Sequence, residues 1–150
     1  MKTKGVIALG NPFRGDDGIS TLLLRKLEDE DMPPNVDLFD AGTGGINVLH
    51  ILSELDKALI IDAVFFGGDP GDFAFFGPDE AENLKQSRGS HDSNLFEVLE
   101  LSKGLEELPE EVLLMGIQPK DISVGEGLSK ELEEKVPELL RELKEKIENL

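Results

Sequence analysis

Apolar residues in this chain follow two rhythms. Short unbroken runs alternate with stretches where they recur every three or four positions. "GVIALG" (5–10) is an unbroken run, as expected of a strand covered on both faces. Ile19, Leu22, Leu23 and Leu27 follow at helical spacing, with "RKLEDED" on the polar side. "VDLFDAG" (36–42) reads as a second strand, and Ile46, Leu49 and Leu52 mark a helix after the turn "AGTGG". "KALIIDAVFF" (57–66) is the most strand-like segment and is assigned to the centre of the sheet. "DFAFFG" (72–77) follows too soon for a crossover helix, which predicts an antiparallel strand at or near an edge. "NLFEVLELS" (94–102) reads as a helix and "EVLLMGIQP" (111–119) as the last strand. From Ser129 a long helix carries Leu132, Val136, Leu139, Leu140, Leu143 and Ile147 as its apolar stripe. Glu131/Lys135 and Glu142/Lys146 are expected as i,i+4 pairs on its wet side.

The order β-α-β-α-β-β-α-β-α predicts one α/β domain over residues 1–150. Its architecture is a three-layer α/β/α sandwich on a mixed, mostly parallel five-stranded sheet. Such folds place their sites beyond the carboxyl ends of the strands, at the topological switch point. That rule collects Asp16 and Asp17 after the first strand, Asp40 ending the second, Asp62 in the third and His91 in "SRGSHDSN".

The first of these loops, "GNPFRGDDGIS", begins like a phosphate cradle, with Gly10 and Gly15 at G-x-x-x-x-G spacing. Asp16 and Asp17 then stand where Lys and Ser or Thr would continue the motif. An Asp here is usually a helix cap, and Asp16 is assigned that role. One cap suffices, so Asp17 calls for another reason. Asp62, amid "ALII" and "AVFF", costs desolvation unless it is paired or sits at a cavity rim. His91 alone would be an ordinary loop histidine, and His50, near the apolar face of "INVLHILSEL", is assigned a structural role. Together, two carboxylates and an imidazole suit a borderline divalent metal with positions left open. The helix dipole would keep Asp17 ionised, as a cation requires.

Composition removes other classes. Thirty-two acids against 15 Lys and Arg give a net charge of −17, which excludes nucleic acid and an anionic membrane surface as expected partners. No apolar run is long enough to cross a bilayer, and the stretch after "MKTK" is too short for a signal h-region, so a cytoplasmic location is expected. With no cysteine, a thiolate ligand and a cysteine nucleophile are ruled out.

"GNPFRGDDG", "DAGTGG", "LIIDAV", "SHDSNL" and "GIQP" stand in the order and spacing of the hydrogenase maturation endopeptidases. The chain resembles that family from Val6 to about Leu140, and within it the proteases serving formate-hydrogenlyase-type and related [NiFe] hydrogenases. The resemblance implies an endopeptidase that removes a short C-terminal extension from the precursor of the hydrogenase large subunit after nickel insertion. It further implies that Asp17, Asp62 and His91 face the nickel, which belongs to the substrate. A monomer is expected. Two catalytic routes stay open. The metal could polarise the scissile carbonyl or a water, or nickel could be only a recognition mark while Asp17 or Asp40 activates the water. Phe13 and Ser20 stand where the family often has Leu or Met and Gly, and Asp92 stands where Asn or Gln is common. Asp92 leaves open which groups join the ligand shell. Two other classes stay in view: a nickel- or precursor-binding maturation chaperone without proteolysis, and a Rossmann-like nucleotide domain. The missing phosphate lysine and the absence of G-x-G-x-x-G count against the latter.

Overall fold

The unbroken apolar runs do form the strands. In the computed structural model, which describes residues 3–80 and 95–150, these are β1 (Lys4–Leu9), β2 (Val36–Gly42), β3 (Lys57–Ala63), β4 (Phe73–Phe76) and β5 (Glu111–Ile117). The helical spacings give α1 (Ile19–Leu27), α2 (Gly45–Leu52), α3 (Leu95–Gly104) and α4 (Lys130–Glu148), and a 3-10 turn, Gly15–Gly18, leads into α1. The sheet order is β2-β1-β3-β5-β4. All neighbours are parallel except β4, which closes one edge antiparallel to β5. β3 is central, as its composition predicts, because a strand flanked on both sides needs no polar face.

Side chains leave a strand alternately to opposite faces, and this splits the core in two. Val6, Ala8, Leu59, Ile61, Met115 and Ile117 meet Leu23 and Leu27 of α1 and Leu132, Leu139 and Leu143 of α4. Ile7, Leu9, Ala58, Ile60 and Leu114 meet Val48 and Leu52 of α2 and Leu95 and Leu99 of α3. The architecture is thus helix, sheet, helix. The chain leaves β1 for β2 on one side and returns for β3 on the other, so the switch point lies between the carboxyl ends of β1 and β3. Among the described residues, no helix is long and apolar enough to cross a membrane.

Three local expectations are corrected. β3 ends at Ala63 rather than Phe66, because the Phe66 N–H turns away from the ladder to a side chain, Gln118 Oε1, at 2.8 Å. On α2 the buried face is Gly45, Val48 and Leu52; Ile46 is 60% exposed and His50, one turn further along, is exposed as well. On α4 the buried residues match the stripe, with Leu140 half-buried, but its surface pairs do not. Glu131 is taken by Lys120, Lys135 reaches Glu138 at 4.0 Å, and Lys146 lies 4.5 Å from the centre of the Phe75 ring. Tertiary neighbours outcompete a weak local pairing.

Candidate active site

The loop after β1 is built around Asp17. The side chain of Asn11 folds back to accept the Phe13 N–H at 2.9 Å, and this small turn aims Asn11's own N–H at Asp17 Oδ2, 2.8 Å away. Gly10 is required by crowding: a Cβ there would lie 2.3 Å from the Asp17 carbonyl oxygen. Gly15 starts the 3-10 turn at φ 55°, a conformation that glycine adopts without a Cβ penalty. Asp17 is 7% exposed and stands in the 3-10 turn leading to α1.

Asp16 does not cap α1: Gly18 occupies the cap position and no side chain bonds there. Its carboxylate points the other way and is fully buried. It accepts the N–H groups of Lys120 (2.8 Å), Asp121 (3.1 Å) and Ser129 (2.7 Å), and the Ser129 hydroxyl at 2.8 Å. Ser129 is itself the cap of α4 and accepts the Leu132 N–H. Asp16 therefore rivets the Asp17 turn to the β5–α4 connection. Sequence reasoning missed this because the donors lie more than a hundred positions away.

Asp62 is 3% exposed and sits opposite Gly116 on β5. By strand alternation it leaves the sheet on the face covered by α2 and α3, in line with Ala58 and Ile60. The 3-10 turn carrying Asp17 packs against β3. Asp17 and Asp62 are thus both buried near the carboxyl ends of the adjacent strands β1 and β3. Asp40 is placed differently. It is exposed, accepts the Gly42 N–H at 3.0 Å, and stands 3.9 Å from Arg25 of α1. It shares its face with Val36 and Leu38, the face opposite Asp62. His91 and Asp92 lie outside the described residues. Among the described residues, no three His, Cys, Asp or Glu side chains cluster closely enough to hold a metal ion.

Gln118, at the end of β5, is a second residue whose role the sequence did not reveal. It is buried, and its Oε1 gathers the Phe66 and Gly68 N–H groups at 2.8 and 3.2 Å, fixing the chain just beyond Asp62. Its sequence signal is an amide closing an apolar strand, within the family-like motif "GIQP", and neither indicates what the side chain bonds to.

Beside the Asp17 turn, a cleft of about 470 Å³ runs along the β5–α4 connection, lined by Gly15, Lys120, Val124, Gly125, Ser129 and Glu131 among others. Neither Asp17 nor Asp62 lines it. Across it, the Lys120–Glu131 pair raises the lysine pKa and lowers that of the glutamate, in both cases chiefly through the hydrogen bond between them.

The fold is an α/β/α sandwich with buried acids, rather than a phosphate lysine, near the carboxyl ends of β1 and β3. The chain belongs to the hydrogenase maturation protease family, whose profile matches residues 21–146. A relative from Methanocaldococcus jannaschii, named as a hydrogenase maturation protease, is 32% identical over 139 residues, covering 88% of this chain and 89% of its own. The crystal structure of the [NiFe] hydrogenase maturation protease HycI from Thermococcus kodakarensis superposes with a TM-score of 0.78 at 26% identity, covering 98% and 94% of the two chains. The hydrogenase maturating endopeptidase HybD from E. coli shares the fold with a TM-score of 0.84 at 24% identity, over 94% and 89%. The protein is accordingly a peptidase of hydrogenase maturation.

Proposed function

We propose that this protein cuts a C-terminal extension from the nickel-loaded precursor of a [NiFe] hydrogenase large subunit, and that Asp17, Asp62 and His91 face the nickel during the cut. The observation that carries the reading is the pair of buried carboxylates at the β1/β3 switch point in a chain of this family. The nickel is cargo of the substrate. Two carboxylates, joined by an imidazole four residues ahead of α3, would engage an ion that the precursor already holds, with the remaining positions filled by the precursor. At that ion a scissile carbonyl or a water would be polarised.

If instead a side chain activates the water, the geometry favours Asp17 over Asp40. Asp17 is buried at the switch point, whereas Asp40 is exposed beside Arg25 on the other face of the sheet. The partner is then the large-subunit precursor, met by this chain as a monomer in the cytoplasm.

The test is mass spectrometry of the precursor incubated with this protein, with nickel loaded or absent, and repeated with Asp17→Asn. Loss of a C-terminal peptide only from the nickel-loaded precursor, and only with the unaltered protein, is expected. Cutting without nickel would leave a protease but remove the nickel-facing role of the acids. A verified nickel-loaded precursor that is bound but never cut would favour the chaperone reading.

A further inference from the structure

Beyond the acids, the rim carries apolar side chains that the core does not use. Phe13 is 61% exposed and Val124 is 89% exposed. They are not scattered. Gly125 N–H donates to the Phe13 carbonyl at 2.8 Å, Gly15 N–H donates to the Gly125 carbonyl at 2.8 Å, and Arg14 pairs with Gly125 in a parallel bridge. That register sets the backbone of Phe13 beside that of Val124, one step before the bridge. The Arg14 guanidinium fastens the same ribbon from below the bridge, its Nε donating to the Ile122 carbonyl at 3.1 Å. An apolar doublet is therefore held out to solvent on a backbone pinned at several points. Holding apolar side chains out to water costs hydration free energy.

The doublet is continuous with the proposed reaction site. Phe13 precedes Asp16 and Asp17 by one short turn, the Asp17 N–H bonds back to the Arg14 carbonyl, and Asp16 clamps the residues flanking Val124 at Lys120, Asp121 and Ser129. Val124 also lines the cleft of about 470 Å³ that Gly15 shares. A polypeptide lying along this ribbon would pass next to the Asp17 turn.

We propose that Phe13 and Val124 form a substrate subsite that seats an apolar side chain of the polypeptide being cut, beside the Asp17 turn, and that they help to set which polypeptides this protease accepts. This rests on the proteolytic reading above. The net charge of −17 disfavours an acidic segment, so the occupant is an apolar residue in a neutral or basic stretch.

The experiment compares the unaltered protein with the double variant Phe13→Ser/Val124→Ser, with Phe13→Leu, and with Leu101→Ser. Leu101 is 50% exposed on α3 and serves as an apolar control away from the ribbon. Both cutting of the nickel-loaded precursor and binding of the same precursor, labelled for fluorescence anisotropy, are measured, with melting temperatures for each variant. The double variant is expected to raise KM and weaken binding by about tenfold or more with kcat nearly unchanged. Phe13→Leu, which keeps an apolar side chain, is expected to lose less than the double variant, Leu101→Ser is expected to stay near the unaltered protein, and all melting temperatures should agree. Unchanged KM and binding in the double variant would overturn the subsite, as would an equal loss in Leu101→Ser. Failure of the unaltered protein to cut would strike the proteolytic reading, while the binding arm would still decide whether the doublet holds the precursor.

Discussion

Adjacent carboxylates in this chain do opposite work. Asp16 spends both oxygens inside the protein, on three backbone N–H groups and one hydroxyl, while Asp17 is anchored by Asn11 at the rim. Asp16→Ala would leave those buried donors without their acceptor and free the α4 cap from the Asp17 turn. A loss of about 3 kcal/mol is expected, read as a lower urea midpoint with little change in slope. Asp17→Asn keeps shape and most of the packing. It should unfold near the unaltered protein while precursor cutting falls by roughly a hundredfold or more, measured by single-turnover mass spectrometry. The sequence could not separate the two acids by local reasoning. A cap is the common use of an Asp in a helix's first turn, and the donors that claim Asp16 come from the far end of the chain.

At the scale of elements, the strands were legible because a strand covered on both faces must be apolar throughout, and the chain alternates cleanly between such runs and helical spacing. The antiparallel edge was legible too, because the link between "VFF" and "DFAFF" is too short for a crossover. What was not legible came from side chains that bond across elements. "AVFF" continues the apolar run past Ala63, yet Gln118 captures the Phe66 N–H and ends the ladder. Gln118→Ala should therefore leave the sheet intact and loosen only this turn. The expected signature is faster amide exchange at Phe66 and Gly68 with a global loss of about 1–2 kcal/mol. Gly10→Ala belongs to the same scale. Its Cβ would collide with the Asp17 backbone, so the turn must shift, and cutting should fall more than stability does.

For the whole molecule, charge governs what the packing does not. A net charge of −17 opposes compaction, and exposed pairs such as Lys144–Glu30 offset it only locally. Because the excess is on the surface, raising salt to ~0.15 M should screen it and raise the melting temperature of the unaltered protein. One exposed pair should respond in the opposite sense. The Lys120–Glu131 bond lowers the glutamate pKa in the folded chain, and a bond between Ser123 and Asp121 does the same for that aspartate. A carboxylate with a depressed folded pKa contributes stability above its ordinary range, and that contribution is lost as pH falls through the folded value. The stability difference between the unaltered protein and Glu131→Gln should then be present at neutral pH, shrink with salt, and vanish in acid below the glutamate's lowered pKa. Thermal melts of both proteins across pH and salt would show it, and a difference indifferent to both would mean that this bond adds no ionic stability. Since Lys120 and Glu131 line the same cleft as Val124, the same melts report how firmly the pair holds the β5–α4 connection there.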